Sequence, residues 1–172
     1  GVSRTFNNQG EVVAGAIFDQ DELVAEGITL KDGTKEGSWR EFWSNGQIRA
    51  EGSYESGLRE GIWTFYRVTG EKEQQGKYRE GAFHGTWTWW YPGGQIHREE
   101  DYTRGKLDGE FLELDTAGGV LVKGTFVGGD PEGPWIRNIH NHLEEGNYLS
   151  GQKDGVWRIT DASEVVRFEG SY

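Results

Sequence analysis

The chain has 172 residues, enough for one ordinary domain, with a net charge of −11 and only 34% hydrophobic residues. An acidic balance with no basic run or stripe argues against nucleic acid and against direct binding to anionic membranes. Low hydrophobicity and high charge would suit disorder, but eight Trp, seven Tyr and eight Phe at regular spacing oppose it. There is no cysteine from which to read a redox compartment, and no apolar run approaches the ~20 residues of a spanning helix. The absence of methionine leads us to expect a processed product or a piece of a longer chain.

At the front, Gly10, Val12, Ala14, Ala16 and Phe18 alternate like a strand, with Ala16 in a place that later copies give to glycine. Residues 19–29, DQDELVAEGIT, read as an irregular insertion. Residues 1–29 are thus an N-terminal partial repeat plus insertion. From there a 24-residue unit recurs, starting at Leu30, Tyr54, Tyr78, Tyr102, Phe126 and Tyr148. Self-similarity at a fixed period of this size means an array. Residues 30–172 are therefore read as six tandem repeats in one continuous array.

The first strand signal of each repeat is Gly-x-aromatic, with the ring at Trp39, Trp63, Trp87, Phe111, Trp135 and Trp157. A tight turn follows (SNG, VTG, PGG, AGG), then an alternating run that ends Gly-x-Tyr, as in QIRAEGSY. Asn-Gly and Gly-Gly supply the positive φ that hairpin turns demand. Alternation puts Ile48, Ala50, Gly52 and Tyr54 on one face and Arg49, Glu51 and Ser53 on the other. Gly76, Gly124 and Gly170 repeat Gly52, and Glu100 replaces it once. A glycine inside a strand points to a close approach, here a neighbouring tryptophan lying across bare backbone. Two turns depart from the pattern. The repeat from Phe126 is two residues short and lacks its turn glycine, and the last turn reads Asp161-Ala162-Ser163-Glu164. The expectation is an all-β, elongated, single-layer antiparallel β-meander of tandem β-hairpin repeats, with roughly 13 strands.

The stretches GSWREFWSNGQIRAEGSY and GTWTWWYPGGQI resemble the MORN repeat, specifically its bacterial variant. That family shows a tyrosine, a run of the kind NGKxxGxW, an aromatic pair, an NG turn and a closing EGxY. The resemblance covers the chain from about Gly10 to Tyr172. It implies consecutive hairpins with no enzyme activity, no cofactor and a role in scaffolding. It also brings to mind antitoxin-type and envelope or secreted bacterial proteins.

Candidate sites lie where the copies differ. Trp89 and Tyr91 alternate with Trp90, so rings face both sides of a thin sheet and some must stay partly open. Trp43 and Phe65 sit near the same row. These five residues form the candidate partner-binding strip, since Trp and Tyr are enriched at interfaces. The last strand carries Val165, Val166 and Phe168 with no proline or charge block, a candidate for edge pairing. It would self-associate or pair with a continuation of a longer chain. His140 and His142 with Glu144 or Glu145 are weak as a metal site, lacking converging spacing. Asp130-Pro131-Glu132-Gly133-Pro134 reads as a solvated turn rather than a calcium loop. Glu99-Glu100-Asp101 alternate across the sheet and give no glycosidase pair. No nucleophile or phosphate-loop motif occurs.

The function expected is a non-enzymatic scaffold for protein–protein interaction, in a bacterial envelope or secreted assembly and so extracytoplasmic. One alternative is an antitoxin-like inhibitor acting through the acidic surface. Another is a carbohydrate-binding module using exposed aromatics.

Overall fold

The computed structural model describes residues 1–140 and 142–172. Its strands are β1 Val2–Phe6, β2 Val12–Asp19, β3 Glu22–Thr29, β4 Lys35–Phe42, β5 Ile48–Glu55, β6 Leu58–Tyr66, β7 Lys72–Arg79 and β8 Ala82–Trp90. They continue with β9 Ile96–Thr103, β10 Lys106–Leu114, β11 Val120–Val127, β12 Asp130–Ile139, β13 His142–Leu149, β14 Gln152–Asp161 and β15 Val166–Ser171. No helix occurs among the described residues. The strands make an antiparallel meander whose order is the chain order. The all-β hairpin-repeat class is as expected.

The front of the chain is more regular than expected, which raises the strand count from roughly 13 to fifteen among the described residues. Residues 19–29, read as an irregular insertion, contain β3. It pairs with β2 through Asp19↔Glu22 and with β4 through Thr29↔Lys35. Gln20 and Asp21 take φ of 45° and 66° and close a two-residue turn. Gly27 supplies the bare backbone that the ring of Trp39 covers.

The chain forms two compact units, Gly1–His84 with Pro92–Gly94, and Gly85–Tyr91 with Gln95–Tyr172. In both, one connection within a hairpin is a five-residue turn built on an Asn or Asp side chain. Asn45 Oδ1 accepts the N–H of Gln47 at 3.0 Å, and Asp115 Oδ1 accepts those of Ala117 and Gly119 at 2.8 Å. After this turn the register slips. Glu41 faces Ala50, but Phe42 faces Ile48, so Arg49 is an extra residue, a β-bulge. Directly opposed residues share a face. Ile48 therefore leaves the face of Ala50, Gly52 and Tyr54, a correction to simple alternation.

The shortened hairpin has no bulge. β12 and β13 pair without a break from Gly133↔Tyr148 to Ile139↔His142. Its Asn141 lies outside the described residues. The last turn keeps the five-residue form without glycine, and Glu164 takes a left-handed φ of 60° where Gly46 and Gly118 have 81° and 86° in the corresponding turns.

In each unit the core is built from rings. Trp39, Trp63, Trp87, Trp135 and Trp157 are at most 3% exposed. Each of four lies on a strand glycine: Trp39 on Gly27, Trp63 on Gly52, Trp135 on Gly124 and Trp157 on Gly146. A Cβ at any of these glycines would fall 2.2–2.5 Å from the ring. That is the close approach expected from glycine inside a strand. Where Glu100 replaces glycine, the opposing anchor is Phe111, a smaller ring. The two departures from the repeat are one accommodation, because a side chain at that position leaves no room for an indole.

Consecutive repeats are also stapled by acids. Before four of the six Gly-x-aromatic glycines, a carboxylate accepts a backbone N–H of the following two-residue connection. Glu36 takes Ser56, Glu60 takes Glu80, Asp108 takes Gly128 and Glu132 takes Ser150, at 2.7–3.0 Å. Ser56, Glu80 and Ser150 have φ near +51° and are followed by glycine, the turn form that matches strand twist. Each acid thus satisfies a donor that the turn would leave unpaired.

Candidate functional site

On the tryptophan face the rings alternate edge to face. In the first unit Trp39, Tyr54, Trp63 and Tyr78 follow at centroid distances of 5.6, 5.1 and 6.2 Å. In the second, Phe111, Phe126, Trp135, Tyr148 and Trp157 follow at 5.7, 5.0, 5.8 and 5.0 Å. Such offset geometry aligns the positive ring edge with the negative ring face. Cations close the outer side. Lys35 lies 4.5 Å from the Trp39 ring, Arg59 4.4 Å from Trp63 and Lys153 4.0 Å from Trp157. The acidic chain therefore lays several of its few cations along this face.

The spine tryptophans are closed to a partner. The rings beside them are not: Trp43, Phe65, Trp89, Trp90 and Tyr91 are all half-buried. In the first unit Phe65 lies tilted on Trp63 at 6.0 Å, with the Arg59 guanidinium 5.2 Å from its ring. Trp43 donates its indole N–H to Tyr66 O at 3.1 Å, and Arg49 stands 5.8 Å from its ring. In the second unit Trp89 lies tilted on Trp87 at 6.0 Å under Arg98 at 4.6 Å. The Tyr91 hydroxyl donates to Leu114 O at 2.9 Å, and its ring packs on His97 at 4.3 Å. Trp90 follows the bulge and faces Ile96 across the hairpin. The polar tips of Trp43 and Tyr91 thus reach a carbonyl of the next hairpin in the same way. Trp43, Phe65, Trp89 and Tyr91 are thus each held by a hydrogen bond or a cation while staying half-buried.

The burial of two carboxylates was not legible in the sequence. Glu41 is held by Arg49 at 2.9 Å and Arg59 at 3.6 Å. Glu100, 5% exposed, accepts the Tyr102 hydroxyl at 2.5 Å and faces Arg98 at 3.2 Å. Burial raises the Tyr102 hydroxyl well above its usual range, and the bond to Glu100 raises it further. Tyr66 is pushed up to about 12 by burial and by its 2.7 Å bond to Glu51. Both tyrosines stay neutral donors to a carboxylate, which is structural work. The acidic staples were missed too, although an acid before the repeat's second glycine at 36, 60, 108 and 132 was their visible signal.

Glu100 sits on the ring face, while its neighbours Glu99 and Asp101 oppose Thr88 and Thr86. Asp101 accepts the Thr86 hydroxyl at 2.6 Å. In the shortened hairpin His142 Nδ1 lies 3.1 Å from His140 O. Among the described residues no three His, Asp or Glu side chains are grouped to hold a metal ion. Glu132 of the acidic connection serves as a staple. Val166 and Phe168 lie half-exposed on β15, and Val165 stands at the end of its turn, where its N–H reaches Asp161.

Residues 35–56 and 83–103 match the MORN repeat variant family. The two segments coincide with β4–β5 and with most of β8–β9, hairpins that carry a half-buried ring beside the spine. MORN repeats form a non-enzymatic family generally associated with scaffolds that bind proteins or membranes. No curated protein matches the chain.

Proposed function

We propose that the chain is a non-enzymatic scaffold that binds a protein partner through the aromatics beside its spine. The observation that carries this is the division of the rings. Five tryptophans are buried, four of them on a strand glycine, while Trp43, Phe65, Trp89, Trp90 and Tyr91 stay half-buried, and Trp43, Phe65, Trp89 and Tyr91 are each held by a hydrogen bond or a cation. Rigid, half-open aromatics contribute contact area at low entropic cost, as hot-spot residues do. The setting we propose is a bacterial envelope or secreted assembly, outside the cytoplasm. The edge at Val165, Val166 and Phe168 would serve further assembly by self-association or by pairing with more of the same array.

A benzophenone amino acid at position 43 or 89 tests the reading in the source cells. It should cross-link one defined protein, and the same probe at the exposed turn position 68 should not. Equal capture at all three positions would refute the strip. Quenching of tryptophan fluorescence by envelope oligosaccharides, removed by Trp89→Ala, would instead favour the carbohydrate reading.

A further inference from the structure

Gly170 of β15 occupies the place that other repeats give to a ring seat. It faces Trp157 across its hairpin as Gly52 faces Trp39. Its φ lies outside the positive region, so the backbone does not require glycine there. Space is what the position provides. At Gly27, Gly52, Gly124 and Gly146 that space is filled by a tryptophan of the following first strand. At Gly170 it is filled from its own strand, by Phe168. That ring folds over Gly170, its nearest atom 2.6 Å from where a Cβ would stand. The corresponding residues two before the other row members, Ala50, Gln74, Arg98, Val122 and Glu144, include no aromatic. Phe168 is 45% exposed, so this cover leaves much of its own ring in water.

We propose that β15 is a docking edge for an extended segment carrying Gly-x-Trp, with the chemistry of β4, β6 and β14. The incoming strand completes the hydrogen-bond ladder along β15, and its indole takes the seat over Gly170. Phe168 swings away from the glycine on binding. The contact continues the interface that already joins consecutive repeats in each unit. Main-chain bonds supply affinity, and the single ring in a glycine seat supplies register. The inference deepens the edge-assembly part of the scaffold reading and does not depend on the aromatic strip.

The probe is a labelled peptide copying residues 60–67, Glu-Gly-Ile-Trp-Thr-Phe-Tyr-Arg, titrated with the whole chain and read by anisotropy. Saturable binding is expected. The same peptide with Trp replaced by Ala should bind about tenfold or more weakly, since a buried indole contributes well over the 1.4 kcal/mol that a factor of ten requires. Gly170→Val fills the seat and should abolish binding. Phe168→Ala removes the competing ring and should tighten it several-fold, a gain that misfolding cannot produce. The proposal is overturned if the wild-type chain does not bind, if Gly170→Val binds normally, or if Phe168→Ala weakens binding. None of these outcomes touches the cross-linking test of the aromatic strip, so the two can fail separately.

Discussion

Trp63→Ala should open the first unit locally before anything else unfolds. The Trp63 ring is fully buried, lies on Gly52, and meets Tyr54 at 5.1 Å and Tyr78 at 6.2 Å edge to face. Its indole N–H donates to Ser53 O at 2.9 Å, and Arg59 stacks 4.4 Å from its ring. Truncating a core tryptophan to alanine costs about 3–5 kcal/mol. Two edge-to-face pairs, each about 0.5–1.5 kcal/mol beyond area, and a severed hydrogen bond place this site near the upper end, about 5 kcal/mol. In an array the loss falls on the repeat and its nearest neighbours. Native-state hydrogen exchange is the assay. Amides of β5, β6 and β7 should lose most of their protection, while those of β13 and β14 keep theirs. A uniform loss over all strands would refute the nearest-neighbour account.

The pairing of glycine with indole can be tested by imitation. Gly52→Ala should destabilise the first unit because its Cβ would meet the Trp63 ring at 2.3 Å, and adding Trp63→Phe should recover part of the lost melting temperature. Failure of the second change to help would break the link drawn between Glu100 and Phe111. Glu164→Gly should stabilise the β14–β15 hairpin by about 1 kcal/mol, because Glu164 holds φ of 60° where glycine costs nothing sterically; chemical denaturation would show it, and a loss of stability would contradict it. Tyr66 has a folded-state value of about 12 against an ordinary 10.0, so its neutral form is favoured in the fold. Its contribution is complete below pH 10 and is lost as pH rises through about 12. Tyrosinate absorbance should show Tyr66 and Tyr102 titrating late, and Glu51→Gln should move the Tyr66 step back toward 10.0.

Much of this molecule was legible because repetition amplifies weak signals. A single Gly-x-Trp says little, but the same glycine at 37, 61, 85, 109, 133 and 155 fixes strand, turn and anchor in each copy. The glycine row showed that something lies across the strands, and Trp is the ring that does. The regular front of the chain was hidden because Gly27 stands outside the 24-residue count, so β3 looked like an insertion. Ile48 was placed on the wrong face because a bulge adds a residue that leaves no mark on composition. The candidate strip was named from spacing, but its rigidity was not. That comes from the bonds of Trp43 and Tyr91 to carbonyls 23 residues further on.

Sequence alone determined the period, the hairpins and which rings form the spine, because those depend on local backbone demands repeated in every copy. Tertiary structure alone decided three things. It showed that Glu100 and Phe111 are one accommodation, since only contact across strands reveals that a side chain and an indole compete for the same space. It turned the acids at 36, 60, 108 and 132 into staples, since their partners lie in the next connection. And it put Phe168 over Gly170, since a ring's choice between solvent and a bare glycine depends on what else reaches that glycine.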